Sequence, residues 1–214
     1  MHSKKRPGSL RFLITAGGTR EYIDPVRFIS NASSGRTGFA LARAALKAGH
    51  KVTLVTAPTA QRPPNGARIV KVKTAAEMFE AVKAHFNKCD CLIMAAAVAD
   101  YTVAKPSRTK FKKTNKSLTI ELKPTSDILK WASRHKTRSQ VVVGFALEDQ
   151  AIRERAEKKL KDKNLDMIIA NSPAAIGSDK STVQIKTPHT KWLKLPLASK
   201  TIIARQIISL IESI

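Results

Sequence analysis

Ile14-Thr15-Ala16-Gly17-Gly18-Thr19-Arg20-Glu21, followed by Ile29-Ser30-Asn31-Ala32-Ser33-Ser34-Gly35-Arg36-Thr37-Gly38, decides the fold. An apolar strand runs into a glycine turn, and a second polar, glycine-spaced loop enters an alanine-rich helix. α/β proteins present backbone N–H groups to a phosphate in this way. Gly17 and Gly18 permit close approach or a positive backbone angle, while Ser33, Ser34 and Gly35 bring hydroxyls and amides to a helix start. Neither loop carries the glycine-lysine-serine order of a Walker motif. The long connection after the first strand also argues against a dinucleotide fingerprint.

Outward from this stretch, strand and helix alternate. Strands are predicted at Leu10 to Thr15, Lys51 to Thr56, Cys91 to Ala96, Val141 to Phe145 and Met167 to Ala170. Helices are predicted at Gly38 to Gly49, Thr74 to Phe86, Ile128 to Arg134, Ala151 to Lys163 and Lys200 to Ile211. Thr74 with Glu77 reads as a helix cap. Val183 to Thr187 and Trp192 to Leu195 read as a hairpin. Tyr101 to Lys116 is polar and lysine-rich and reads as a mobile loop, with Leu118 to Leu122 alternating like a partly exposed strand. The expected class is α/β, a Rossmann-like and mainly parallel sheet flanked by helices, with a lysine-rich flap and a C-terminal hairpin. A basic tail is expected over residues 1–9 and one domain over 10–214. Ligands of such folds sit beyond the carboxyl ends of the strands, where Gly17, the segment Ala95 to Asp100, Phe145 and Asn171 should gather.

Composition narrows the partners. The chain has 214 residues with 39 Lys plus Arg against 16 Asp plus Glu, a formal charge of +23 that attracts polyanions in general. The charge is spread along the chain without interleaved aromatics, so no specific nucleic-acid binding is expected. No apolar run approaches the roughly 18 residues of a membrane span, and the basic start lacks the apolar stretch of a signal peptide, so a cytoplasmic location is expected. Cys89 and Cys91 read as reduced packing residues on opposite faces, and all five histidines read as solvent-facing.

No serine triad, histidine-cysteine cluster or paired carboxylate can be assembled, so chemistry here rests on positioning, a bound cation and electrostatics. Asn31 either closes a local Asx turn or polarises a carboxylate substrate. Arg27 either pairs with a neighbouring acid or forks onto a carboxylate or phosphate. The run Ala95-Ala96-Ala97-Val98-Ala99 offers a flat shelf for a planar base, and Asp100 after it either caps the next turn or accepts from a ribose or base donor. Lys105, Lys110, Lys112, Lys113 and Lys116 are solvated charges or a cover for a triphosphate; composition does not choose among them.

In order, these motifs give the chain its resemblance to phosphopantothenoylcysteine synthetase of the bacterial, CTP-dependent type. The residues concerned are Thr15 to Glu21, Ile23 to Asn31, Ser33 to Gly35, Ala96 to Asp100, Lys110 to Lys113, Asp127 to Leu129, Val143 to Ala146, and Asn164 to Asp166 through Asn171. The resemblance implies a ligase of coenzyme A biosynthesis. It would activate 4'-phosphopantothenate with CTP to an acyl-cytidylate, then couple L-cysteine and release CMP, with Mg2+ accompanying the triphosphate. It further implies that Asn31 binds the substrate and acyl-cytidylate and that Lys110 heads the flap. Met94, Ala95, Ala96, Asp100, Ser126, Asp127, Ile128, Leu129, Phe145, Lys159 and Lys163 would contact CTP. A homodimer is implied, as is a decarboxylase carried elsewhere; a catalytically inactive CTP-binding homologue is the alternative. The chain departs from the family pattern at Arg36, where lysine is usual, at Thr125-Ser126-Asp127 and at Leu147-Glu148-Asp149.

Overall fold

The computed structural model describes residues 8–115, 117–172 and 177–214; residues 1–7 of the expected tail, with His2, and Lys116 of the flap lie outside them. Strand β1 (Arg11–Ala16) is buried from its second residue onward, as an apolar run covered on both faces must be. It ends at Gly17, where φ is 84° and a Cβ would stand 2.9 Å from the Ala57 carbonyl oxygen, so only glycine fits. The long first loop contains an unexpected hairpin, β2 (Arg20–Tyr22) with β3 (Phe28–Ser30). Helix α1 (Arg36–Lys47) begins directly after Gly35, earlier than its expected start at Gly38. Gly38 therefore lies within α1, where a Cβ would stand 2.6 Å from that of Ala16; its absence lets the helix lie against β1.

Strand β4 (Lys51–Thr56) has the expected bounds, whereas β5 (Arg68–Lys71) is a half-exposed edge strand of mixed polarity that periodicity does not flag. Helix α2 (Ala75–Phe86) is capped reciprocally: Thr74 Oγ1 accepts from the Glu77 N–H at 3.1 Å, and the Glu77 carboxylate accepts from the Lys73 N–H at 2.7 Å. Strand β6 (Cys91–Met94) is followed by β7 (Tyr101–Val103) and β8 (Leu122–Pro124), which pair antiparallel. The strand expected over Leu118 to Leu122 is thus displaced toward Pro124, because a strand forms where a partner exists and alternation alone supplies none. The remaining elements are α3 (Ile128–His135), β9 (Val141–Leu147), α4 (Ile152–Asp162), β10 (Met167–Asn171), β11 (Lys180–Lys186), β12 (Leu193–Ser199) and α5 (Lys200–Glu212).

Eight strands form one sheet in the order β12-β11-β10-β9-β6-β1-β4-β5. From β10 to β5 all neighbours are parallel, and the β11–β12 hairpin closes one edge antiparallel. Alternate β1 residues face opposite layers: Phe12 and Ile14 pack with α1 and α5, while Leu13 packs with α2, α3 and α4. Cys91 belongs to the first layer and Cys89 to the second; both are free thiols, and burial pushes Cys89 up to about 12. His50 is not solvent-facing: it is 8% exposed and packs against Phe12 with ring centroids 5.1 Å apart. The Leu10 N–H lies 3.2 Å from its Nδ1, which leaves Nε2 to donate to Glu212 at 2.9 Å and tie the end of α5 to the start of β1.

From β1 the chain goes out to β4 on one side and returns to β6 on the other, so a crevice opens where the strand order reverses. Beyond β6, the run Ala95 to Ala99 is stitched to the loop after β1. The Ala96 N–H donates to Thr15 Oγ1 at 3.1 Å and the Ala99 N–H to Thr19 Oγ1 at 2.9 Å. The Ala97 N–H donates to the Gly17 carbonyl at 2.8 Å, and the Ala97 carbonyl accepts from the Thr19 N–H at 3.3 Å. Both threonines are fully buried, so each hydroxyl replaces water that cannot reach these amides. Thr19→Val keeps the shape but leaves the Ala99 N–H without its acceptor. Stability should fall by about 1–3 kcal/mol, read as a lower urea midpoint at unchanged slope; a wild-type midpoint would contradict the role given to this hydroxyl.

Candidate functional site

A cleft of about 680 Å3 occupies the crevice. Its floor is the shelf from Met94 to Val98, one wall is the loop from Asn31 into α1, and the other is the entrance of α3 with Lys159 and Lys163 from the end of α4. Asn31 joins wall to floor, its Nδ2 lying 3.3 Å from the carbonyl oxygens of both Ala97 and Val98. The Ser33 N–H folds back onto the Asn31 carbonyl at 2.7 Å, and Thr59 Oγ1 donates to the Ser34 carbonyl at 2.7 Å. Gly35 caps α1 without a side-chain hydrogen bond, so amides of the first turn remain for a ligand on the cleft side.

The opposite wall is built by side chains that satisfy helix ends and one another. Asp127 caps α3, accepting from the Lys130 N–H at 2.9 Å, and pairs with Lys163 Nζ at 2.9 Å. Burial pushes the Asp127 carboxyl up, but the Lys130 N–H and Lys163 outweigh it and hold the group below its ordinary value. Lys159 Nζ donates to the Phe145 carbonyl at 2.7 Å; burial first, then the neighbouring Lys163 charge, push its pKa below that of an ordinary lysine. Thr125 fastens this wall to the shelf, with Oγ1 donating to the Ala99 carbonyl at 2.6 Å and its N–H to the Asp100 carbonyl at 2.9 Å. At the rim, the Arg36 guanidinium donates to the Gly177 carbonyl at 2.8 Å and to Asp179 at 2.7 Å, beside Lys200 at the start of α5. Burial, followed by the Arg36 charge, lowers the pKa of Lys200.

Among the sequence-selected residues, Asn31, Ser33, Ser34, Gly35, Met94, Ala95, Ala96, Asp100, Ser126, Asp127, Ile128, Leu129, Phe145, Lys159 and Lys163 line this one cleft. Gly17 and Gly18 lie behind the floor, bridged to Ala97, and are not lining residues. Arg27 is paired with Asp24 at 3.0 Å and Lys110 is exposed; neither lines the cleft in this chain. Sequence reasoning gave no role to Thr15 or Thr19, although a threonine inside an apolar run signals a buried hydroxyl in need of a partner. Lys200 carried no local signal, since only tertiary folding brings α5 to the rim.

Four cations, Arg36, Lys159, Lys163 and Lys200, face three carboxylates, Asp100, Asp127 and Glu148. Asp127 and Glu148 are held in ion pairs, and no described residue pairs with Asp100. The described lining residues include no histidine or cysteine. Such a site can bind phosphates, lay a flat group on exposed backbone and align two reactants. Among the described residues, no group of three or more His, Cys, Asp or Glu is placed to hold a metal ion, and no helix is long and apolar enough to cross a membrane.

The family model of the DNA/pantothenate metabolism flavoprotein C-terminal domain matches residues 8–214. The Coenzyme A biosynthesis bifunctional protein CoaBC of Bacillus subtilis (strain 168) is 43% identical over 207 residues, which cover 94% of this chain and 51% of that protein. A protein named Cysteine/Cysteine sulfinic acid decarboxylase, from an unknown prokaryotic organism, is 44% identical over 203 residues, covering 92% of this chain and 56% of its own length. The crystal structure of the C-terminal domain of a coenzyme A biosynthesis bifunctional protein CoaBC aligns with a TM-score of 0.83 at 40% identity, covering 95% of this chain and 94% of that one. The chain spans about half the length of the curated relatives it matches. The chain belongs to the family of the DNA/pantothenate metabolism flavoprotein C-terminal domain.

Proposed function

We propose that this domain is a ligase of coenzyme A biosynthesis that joins 4'-phosphopantothenate to L-cysteine with CTP. The observation that carries the reading is one cleft combining a shelf of small residues, four cations and the amide of Asn31. The relatives named for coenzyme A biosynthesis support it.

In this reading a carboxylate oxygen of 4'-phosphopantothenate attacks the α-phosphorus of CTP. The bond to the bridging oxygen breaks, and pyrophosphate leaves with its electron pair. The cysteine amine then attacks the acyl carbon of the cytidylate, the bond to the phosphate oxygen breaks, CMP departs, and the amine proton passes to solvent. The base lies on the backbone of Met94 to Ala96 and against Phe145, with Ser126 to Leu129 at its edge. Lys159 and Lys163 face the phosphates, and Asp100 is the carboxylate left for the ribose. Asn31, already aligned by the shelf carbonyls, orients the acid and its acyl-cytidylate, and Arg27 serves the acid's charged end. Lys110 neutralises charge built up as pyrophosphate departs.

Mg2+ would come as an ion carried by the triphosphate, since among the described residues no group of three or more His, Cys, Asp or Glu is placed to hold it. When bound, it supplies charge neutralisation at the phosphates. A homodimer would let a second protomer bring its lysine segment and Arg27 to this cleft, and a separate decarboxylase would take the product onward.

Incubation with 4'-phosphopantothenate, cysteine and magnesium should yield coupled product and CMP with CTP, and far less with ATP. CTP binding without product would instead favour an inactive homologue. Asn31→Ala should lower kcat/KM by about 10²–10³-fold with unchanged thermal unfolding; near-normal turnover removes its role. Lys110→Gln should slow acyl-cytidylate formation by about tenfold or more in a single turnover, and an unchanged rate would contradict the assignment.

A further inference from the structure

Asp24 lies in the turn between β2 and β3 with its side chain fully screened from solvent, where a carboxylate is costly unless its lone pairs are filled. Four donors fill them. The N–H groups of Val26 and Arg27 each reach Oδ1 at 2.8 Å, while the Arg27 guanidinium at 3.0 Å and the Phe111 N–H at 3.2 Å reach Oδ2. The first three are local; Phe111 lies 87 positions further along the chain, directly after Lys110. The other arm of the same guanidinium donates to the Phe111 carbonyl at 3.1 Å. One ion pair, a buried carboxylate with an exposed guanidinium, therefore grips both polar backbone atoms of Phe111. A second clasp joins the same two segments, the Ser107 N–H to the Ile23 carbonyl at 2.9 Å. Burial alone would push the Asp24 carboxyl up, but these backbone N–H groups and the Arg27 charge outweigh it and keep the group below the usual carboxylate value. The grip is accordingly made of charge-assisted hydrogen bonds.

We propose that Asp24 is a positioning residue: together with Arg27 it docks the lysine-rich segment through Phe111, so that Lys110 is presented from an anchored point of the backbone. A lysine on a four-carbon stem aids a transition state only as well as its base is held. The docking sets the two neighbours of Phe111, Lys110 and Lys112, apart from Lys105 and Lys113, which charge and composition leave equivalent to them. The role of Lys110 rests on the ligase reading above; the docking does not.

The test uses the whole chain with Asp24→Asn, which keeps the shape and removes the charge. Phe111→Pro serves as a second variant that deletes the N–H donor while sparing the buried turn. Hydrogen exchange and tryptic cleavage across 105–121 should both accelerate by about tenfold or more, with exchange in the central strands unchanged. Single-turnover formation of acyl-cytidylate should fall by about tenfold while the KM for cysteine moves less than about threefold, a split that general loosening of the fold would not give. Unchanged exchange and cleavage in both variants would overturn the docking. A released segment with acyl-cytidylate formed at the wild-type rate would overturn the positioning role. A wild-type chain that forms no product fails the ligase reading, and segment exchange then decides the docking by itself.

Discussion

Two threonine hydroxyls hold the site in shape. Once the chain leaves β6 it has no strand partner, yet Ala95 to Ala99 must cross the carboxyl end of the sheet with its peptide groups satisfied. Thr15 and Thr19, fully buried at the end of β1 and just beyond the glycine turn, accept from the amides of Ala96 and Ala99, and Gly17 accepts from that of Ala97. Small side chains are then required on the shelf, because anything larger would cover the backbone that the cleft exposes. The neighbouring walls take their position from the same shelf: Asn31 reaches the carbonyls of Ala97 and Val98, and Thr125 reaches that of Ala99. Loss of this lock would move both walls and the floor at once.

Charge is distributed around the cleft with a division of labour. On the α3 and α4 wall, Lys163 and Asp127 neutralise each other, while Lys159 is held on a carbonyl. Their pairing keeps a basic wall from repelling itself. The surface pairs elsewhere, such as Lys83 with Glu80, are exposed and contribute little to stability. The formal +23 adds a long-range attraction for anions in general.

Much of the fold is legible along the chain because burial on two faces leaves continuous apolar runs: β4 has its expected bounds, and the Thr74–Glu77 cap forms. Part of the cleft, Ala95, Ala96, Asp100 and Phe145, is legible too, since segments that follow parallel strands fall on one edge, whereas Ser126 to Leu129, Lys159 and Lys163 are reached only through the family resemblance. What escaped depends on partners far away in sequence. β2, β3 and β5 are short or of mixed polarity, and β8 forms only where β7 supplies an edge. His50 looks like a surface residue after a glycine turn until Phe12 and Glu212 enclose it. The Asp24 grip on Phe111 joins two segments that no local pattern relates.

The central claim is that this cleft activates a carboxylic acid on a nucleotide before the amine arrives. Its most direct measurement is isotope exchange between labelled pyrophosphate and CTP with cysteine omitted. Label should enter CTP only when 4'-phosphopantothenate is present, because reversal of acyl-cytidylate formation is the one route that returns it. No exchange in the presence of the acid, or equal exchange in its absence, would contradict the account.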